Sequence, residues 1–149
     1  MDEHKIFVPP SSPGSKDFLR TLDDKVDWVS ISKFIRQGLP TSFFNEVSTL
    51  VGLQPGEMAA LLGVKHSARR RWLSTGRLNS TESDYLLRSA IVLRSTLGLF
   101  EGDQVAMRNW ITRPALALDN QAPIALFSSF VGLELIEALI WKIEHGVVV

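Results

Sequence analysis

LQPGEMAALLGVKHSARRRWLSTGRL, residues 53–78, is the stretch whose reading decides the fold. Pro55 suits the first position of a helix, where its missing N–H is no loss. Met58, Leu61 and Leu62 recur at helical spacing and give that helix one inward face. Gly63 suits the left-handed conformation that closes a helix. A second helix follows Val64, runs through Ala68 to Thr75 and stops at Gly76. Two short helices across a tight turn have the spacing of a helix–turn–helix over residues 54–76. The second helix carries Arg69, Arg70 and Arg71. The pattern predicts a nucleic-acid reader.

Charge along the chain agrees with this. Acidic and basic residues balance at 16 each. From Lys65 to Arg77, however, five bases (Lys65, Arg69, Arg70, Arg71, Arg77) stand with no acid, leaving 11 bases against all 16 acids elsewhere. Such segregation is the footprint of a local phosphate-binding surface, or of a solvated basic face. On the first reading Lys65 and Arg77, at the ends of the second helix, lie near phosphates. His66, Ser67, Arg69 and Arg70 are candidates for base edges or phosphates, since arginine pairs bidentately with guanine. Arg71 is equally suited to a salt bridge with an acid of a neighbouring helix. Trp72 reads as core. A few phosphate contacts on one small motif bind weakly, so a homodimer reading half-sites about 34 Å apart is expected.

Other chemistries find little support. With no cysteine, there is no disulfide framework, thiolate zinc site or cysteine nucleophile. His4, His66 and His145 are scattered, and no pair has metal-ligand spacing on one helix face. No catalytic site, metal site, cofactor or small-molecule substrate is expected, so the chain does not read as an enzyme. The N-terminus lacks an apolar run of signal-peptide length. Residues 124–140 are the most apolar region, but Glu134 and Glu137 interrupt them and no bilayer span is expected. A cytoplasmic location follows by default.

Working outward, residues 1–16 have the proline- and serine-rich composition of a flexible arm, with Ile6, Phe7 and Val8 as a possible pin. A helix over residues 24–37 turns Val26, Val29, Phe34, and with them Trp28 and Ile31, inward. Thr41 or Ser42 caps the next, through Phe44, Val47 and Leu50. Beyond Arg77, Asn79 stands three residues before Glu82, a capping signal. A helix to about Gly98 follows, long enough for a spine or a dimer seam. Asp103 starts another, with Val105, Ala106, Trp110 and Ile111 apolar and Pro114 as its stop. Pro123 opens a short helix, and a last one spans residues 130–144 with Leu135, Ile136, Leu139, Ile140 and Ile143 inward. No hairpin pattern occurs, so the fold class is all-α. The expected divisions are residues 1–16, 17–98 and 99–149.

Several of these runs together carry a resemblance. GLPTSFFNEVSTLVGL, LLGV and GRLNSTESDYLLRSA are followed by Trp110-Ile111-Thr112-Arg113-Pro114, Ala117-Leu118, Pro123-Ile124-Ala125-Leu126 and Ile143-Glu144-His145-Gly146-Val147. In that order the chain resembles the Xre/MbcA/ParS-type antitoxins from residue 38 onward. The resemblance implies an Xre-like helix–turn–helix domain followed by a small helical toxin-binding domain. It implies binding and neutralisation of a RES-domain toxin, which consumes NAD, and repression of the chain's own operon through operator DNA. It also implies that the C-terminal region covers the toxin's active-site cleft, with Trp141, Glu144, His145, Gly146, Val147, Val148 and Val149 as contacts. From the residues alone, the terminal valines either tuck into the core or bind a partner. The chain departs from the family pattern at Lys65, where a small polar cap is usual, and at Arg69, where an apolar anchor is usual. Ala68 and Trp72 are then the expected inward pair. Ala115-Leu116, Asp119-Asn120 and Ala122 replace the usual Asn-Pro, glycine pair and N-cap threonine. The rival reading is a stand-alone transcriptional regulator whose C-terminal part dimerises. A second rival is an interaction module whose helix–turn–helix no longer binds DNA.

Overall fold

A computed structural model describes residues 28–147. The expectations for the N-terminal arm, for Val26, for the start of the first helix and for Val148 and Val149 lie outside the described residues. The described residues form helices α1 (Trp28–Gln37), α2 (Thr41–Val51), α3 (Pro55–Leu62), α4 (His66–Thr75), α5 (Ser80–Leu99), α6 (Gln104–Thr112) and α7 (Phe130–Glu144). Two 3-10 turns, Leu116–Leu118 and Pro123–Ser128, stand between α6 and α7. Among the described residues no strand occurs, and Pro40–Arg77 and Ala115–Gln121 pair as isolated bridges. The all-α expectation holds.

α5 is the spine. Leu86, Leu87, Ala90, Val92, Leu93 and Leu97 are buried around much of its circumference, as expected of a helix with neighbours on several sides. α1, α6 and α7 pack against it. Its buried hydroxyls are satisfied locally: Ser89 donates to Tyr85 O at 3.0 Å and Thr96 to Val92 O at 2.8 Å. Ser83 instead accepts from Leu39 N–H at 2.8 Å, tying the α1–α2 connector to the spine. The expected capping box is present. Asn79 accepts from Glu82 N–H, and Glu82 from Asn79 N–H, both at 2.8 Å.

One apolar cluster runs from Ile31 to Ile140 and joins the helix–turn–helix to the later helices. The second 3-10 turn packs on α3, and α6 packs on α2. Arg108 of α6 donates to Thr49 O at 2.8 Å and to Leu50 O at 3.2 Å. A cation is thereby supplied to the negative end of the α2 dipole. The Tyr85 hydroxyl donates to Phe127 O, and Arg88 pairs with Glu137. Burial pushes the Tyr85 hydroxyl pKa up, which keeps it a donor.

Several expected inward residues face outward. Val29 is exposed because it sits about 200° round α1 from buried Ile31, and Trp28, at the first described turn, is exposed as well. In α3, Ala59 joins Met58 in the core and Leu61 is exposed. Met107, not Val105, anchors α6. In α7 the buried stripe is Gly132, Leu133, Ile136, Leu139 and Ile140. Leu135 lies about 100° off Ile136 on the solvent side. Ile143 is in line with the stripe but beyond the end of the core, and is exposed. Thr41 is not a cap: Pro40 is the N-cap residue of α2, and the Thr41 hydroxyl donates to Trp72 O at 3.4 Å.

The loop before Pro123 is ordered without its usual glycines. Asp119 and Asn120 both take positive φ, at 56° and 62°, a region that short polar side chains tolerate better than others.

Candidate nucleic-acid interface and C-terminal surface

The motif is built from its turns. Gln54 and Glu57 form a capping box at the start of α3, with Pro55 as first helical residue. Gly63 closes α3 at φ 70°, and Val64 N–H reaches back to Ala59 O at 2.9 Å. α4 then starts at His66 and ends at left-handed Gly76. Lys65 occupies its N-cap position and supplies no side-chain cap.

α4 buries a single residue, Trp72, against Phe44 with ring centroids 5.0 Å apart. Ala68 beside it is half-buried, so the inward pair is the expected one. Glu82 at the start of α5 holds the helix. Its carboxylate accepts from Arg71 Nη1 at 3.1 Å, Arg71 Nη2 at 2.6 Å and Trp72 Nε1 at 3.0 Å. Arg71 is therefore a strut, the second of the two options its sequence left open. Glu82 was legible as a capping residue, but its reach to α4 was not.

The other basic residues divide by what holds them. Arg69 is half-buried, its guanidinium over Gly56, whose added Cβ would stand 3.5 Å from Nη1. Arginine at this position thus lies along the start of α3 instead of filling the core. Arg77 Nη1 donates to Gly38 O at 3.0 Å, which pins it to the α1–α2 connector. Lys65, His66, Ser67 and Arg70 are exposed, and none has an ion pair among the described residues. His66 and Arg70 stand on the outer side of α4, Lys65 and Ser67 border the hollow beneath its first turn, and Arg69 and Arg77 lie at the margins.

At the other end of the chain, α7 turns a second apolar surface to solvent. Val131, Leu135 and Trp141 are 68%, 50% and 55% exposed. Val131, Leu135 and Ala138 share one side of α7, and Trp141 lies about 120° round from Leu135 beside Glu134. Trp141 stacks on His145 with ring centroids 4.1 Å apart, and His145 Nδ1 lies 2.8 Å from Trp141 O. Glu144, His145, Gly146 and Val147 are all exposed, so the described part of the tail is not tucked into the core. Leu135 and Val131 were missed as surface residues, because alternate apolar positions of an amphipathic helix look alike until its neighbours are known. No helix of the described residues is long and apolar enough to cross a membrane, and none of their His, Asp and Glu side chains gather in threes that could hold a metal ion.

Comparison with known proteins follows the same division. Residues 30–90 match the antitoxin Xre-like helix–turn–helix domain, and residues 98–146 match the antitoxin Xre/MbcA/ParS C-terminal toxin-binding domain. A protein named antitoxin Xre from Photorhabdus laumondii is 24% identical over 146 residues, covering 97% of this chain and 99% of its own. Another antitoxin Xre, from Yersinia enterocolitica, is 25% identical over 114 residues, covering 76% of this chain and 77% of its own. With both domains matched in order, and both lying on one continuous core, the chain belongs to the Xre/MbcA/ParS family of antitoxins.

Proposed function

We propose that this antitoxin neutralises a RES-domain, NAD-consuming toxin by laying its C-terminal surface over the toxin's active site, and represses its own operon as a homodimer. The observation that carries the first half is the solvent side of α7, with Val131, Leu135 and Trp141 exposed, inside the matched toxin-binding domain. An exposed aromatic beside aliphatic neighbours is the composition of a binding hot spot. Glu144, exposed at the end of α7, supplies a carboxylate for basic groups around the toxin's cleft.

The test is co-purification with the RES-like product of a neighbouring reading frame. Leu135→Asp and Trp141→Ala are expected to abolish co-purification and rescue of growth while leaving thermal unfolding unchanged. A chain truncated after Ile143 that still neutralises the toxin would show that the tail is not part of the cover.

The DNA half rests on the free face of α4. Lys65, His66, Ser67 and Arg70 are the expected contacts, with Arg69 and Arg77 at the margins and Arg71 acting through the position of the helix. In a mobility-shift assay on its own promoter, Arg70→Ala should weaken binding and, if the contact is to phosphate, flatten the log-affinity against log-salt slope by about 0.9. Unchanged binding in Arg70→Ala and Lys65→Ala together would remove α4 from the interface.

A further inference from the structure

Beneath α4 lies a cavity of about 610 Å³, bounded by the α3–α4 turn, the first half of α5 and the start of α7. Its walls are aromatic and aliphatic: Phe44 with Trp72, Tyr85 with Phe130, and Leu62 with Val64. Each aromatic pair has ring centroids 5.0 Å apart. The volume falls within the range of small-molecule sites, roughly 300–1,000 Å³. Leu62 and Val64 are half-buried and Phe130 is exposed, so these walls are in part open to an occupant.

Polar side chains also belong to the lining. Arg71 is neutralised by Glu82. Lys65 also lines the cavity, is exposed and has no ion pair among the described residues, leaving one uncompensated positive charge. Ser67 and Thr81 add hydroxyls to the lining. A cavity lined by Phe44, Trp72, Tyr85 and Phe130 and carrying one unpaired cation is complementary to an aromatic body with one carboxylate.

We infer that this cavity is a binding site for small aromatic carboxylic acids, with the ring against Tyr85, Phe130 and the Leu62–Val64 wall and the carboxylate on Lys65. Binding is read on the antitoxin alone, so the inference stands or falls apart from the DNA and toxin proposals.

The probe is indole-3-acetate, with its neutral amide, indole-3-acetamide, as control, titrated into the full chain by calorimetry. The indole N–H of Trp72, followed by NMR, reports occupancy directly, because it bonds to Glu82 at the cavity wall. The acid is expected to bind at one saturable site about tenfold tighter than the amide, the worth of one charge-assisted hydrogen bond. Lys65→Ala should bring the acid down to the amide's affinity, and Ala68→Phe, which fills the chamber, should remove both. Lys65 makes no capping bond, so its variant tests the proposal even if Ala68→Phe folds poorly. Three results would overturn it: no saturable binding to the wild type, equal affinity for acid and amide, or binding undiminished in Lys65→Ala. Protection of the Trp72 signal by a bound protein but by neither probe would also overturn it, making the cavity a protein-docking surface.

Discussion

Glu82 ties the start of α5 to α4 of the helix–turn–helix. One carboxylate caps α5 through Asn79 N–H and receives both prongs of Arg71 and the indole of Trp72. Removing it leaves a partly buried guanidinium and a buried indole N–H without their acceptor, and opens the capping box. Glu82→Ala is expected to cost about 3 kcal/mol in urea unfolding, combining the lost cap with the orphaned donors. Glu82→Gln, which keeps one acceptor oxygen, should cost less. Glu46 behaves oppositely. Burial raises its carboxyl pKa above the ordinary 4.5, so just above that pH the native state holds a proton that the unfolded chain has released. Stability contributed here falls as pH rises through that window. Glu46→Gln is therefore expected to raise the neutral-pH Tm slightly, with the gap from wild type closing as the pH falls through the window just above 4.5. Thermal scans across pH 4 to 7 that showed the reverse trend would contradict the burial argument.

At the scale of elements, the joint between α7 and the second 3-10 turn depends on Gly132. A Cβ there would stand 1.9 Å from Leu126 O, a backbone atom that cannot swing aside. Gly132→Ala is expected to destabilise by about 3 kcal/mol, at the upper end of overpacking costs, and to loosen α7 first, visible as faster amide exchange along that helix. Most of the helices could be read from the chain because their ends are marked by chemistry: Gly63, Gly76, Asp103, Pro114 and the Asn79–Glu82 box all act where they were expected. Inward faces were read less well. Leu135 and Val105 are as apolar as their buried neighbours, and only the position of the packing partner separates them. The Gln54–Glu57 box was missed because glutamine is a weak cap signal, whereas the left-handed Asp119–Asn120 pair stands where the family pattern has its glycines. Of the candidate site, the cluster of bases was legible and its division was not. Whether an arginine is strut or contact depends on acids and carbonyls far away in sequence, such as Glu82 for Arg71 and Gly38 for Arg77.

For the whole molecule, the two matched domains share one hydrophobic cluster and are cross-braced by Arg108, Tyr85 and Arg88. The prediction is a single cooperative unfolding transition, with circular dichroism and tryptophan fluorescence coinciding. A fragment ending at residue 98 should lose its fold, because the faces of α2, α3 and α5 that meet α6, α7 and the second 3-10 turn would be opened to water. Two separate transitions would mean that the shared core contributes little. The anchoring of α4 has a different kind of consequence, for the history of the chain. Trp72, Arg71 and Glu82 fix the helix from one side, while His66, Ser67, Arg70 and Leu73 face solvent. Substitutions on that outer side leave the anchor intact, so a lineage can rewrite whatever the helix recognises, one letter at a time, without passing through unfolded ancestors.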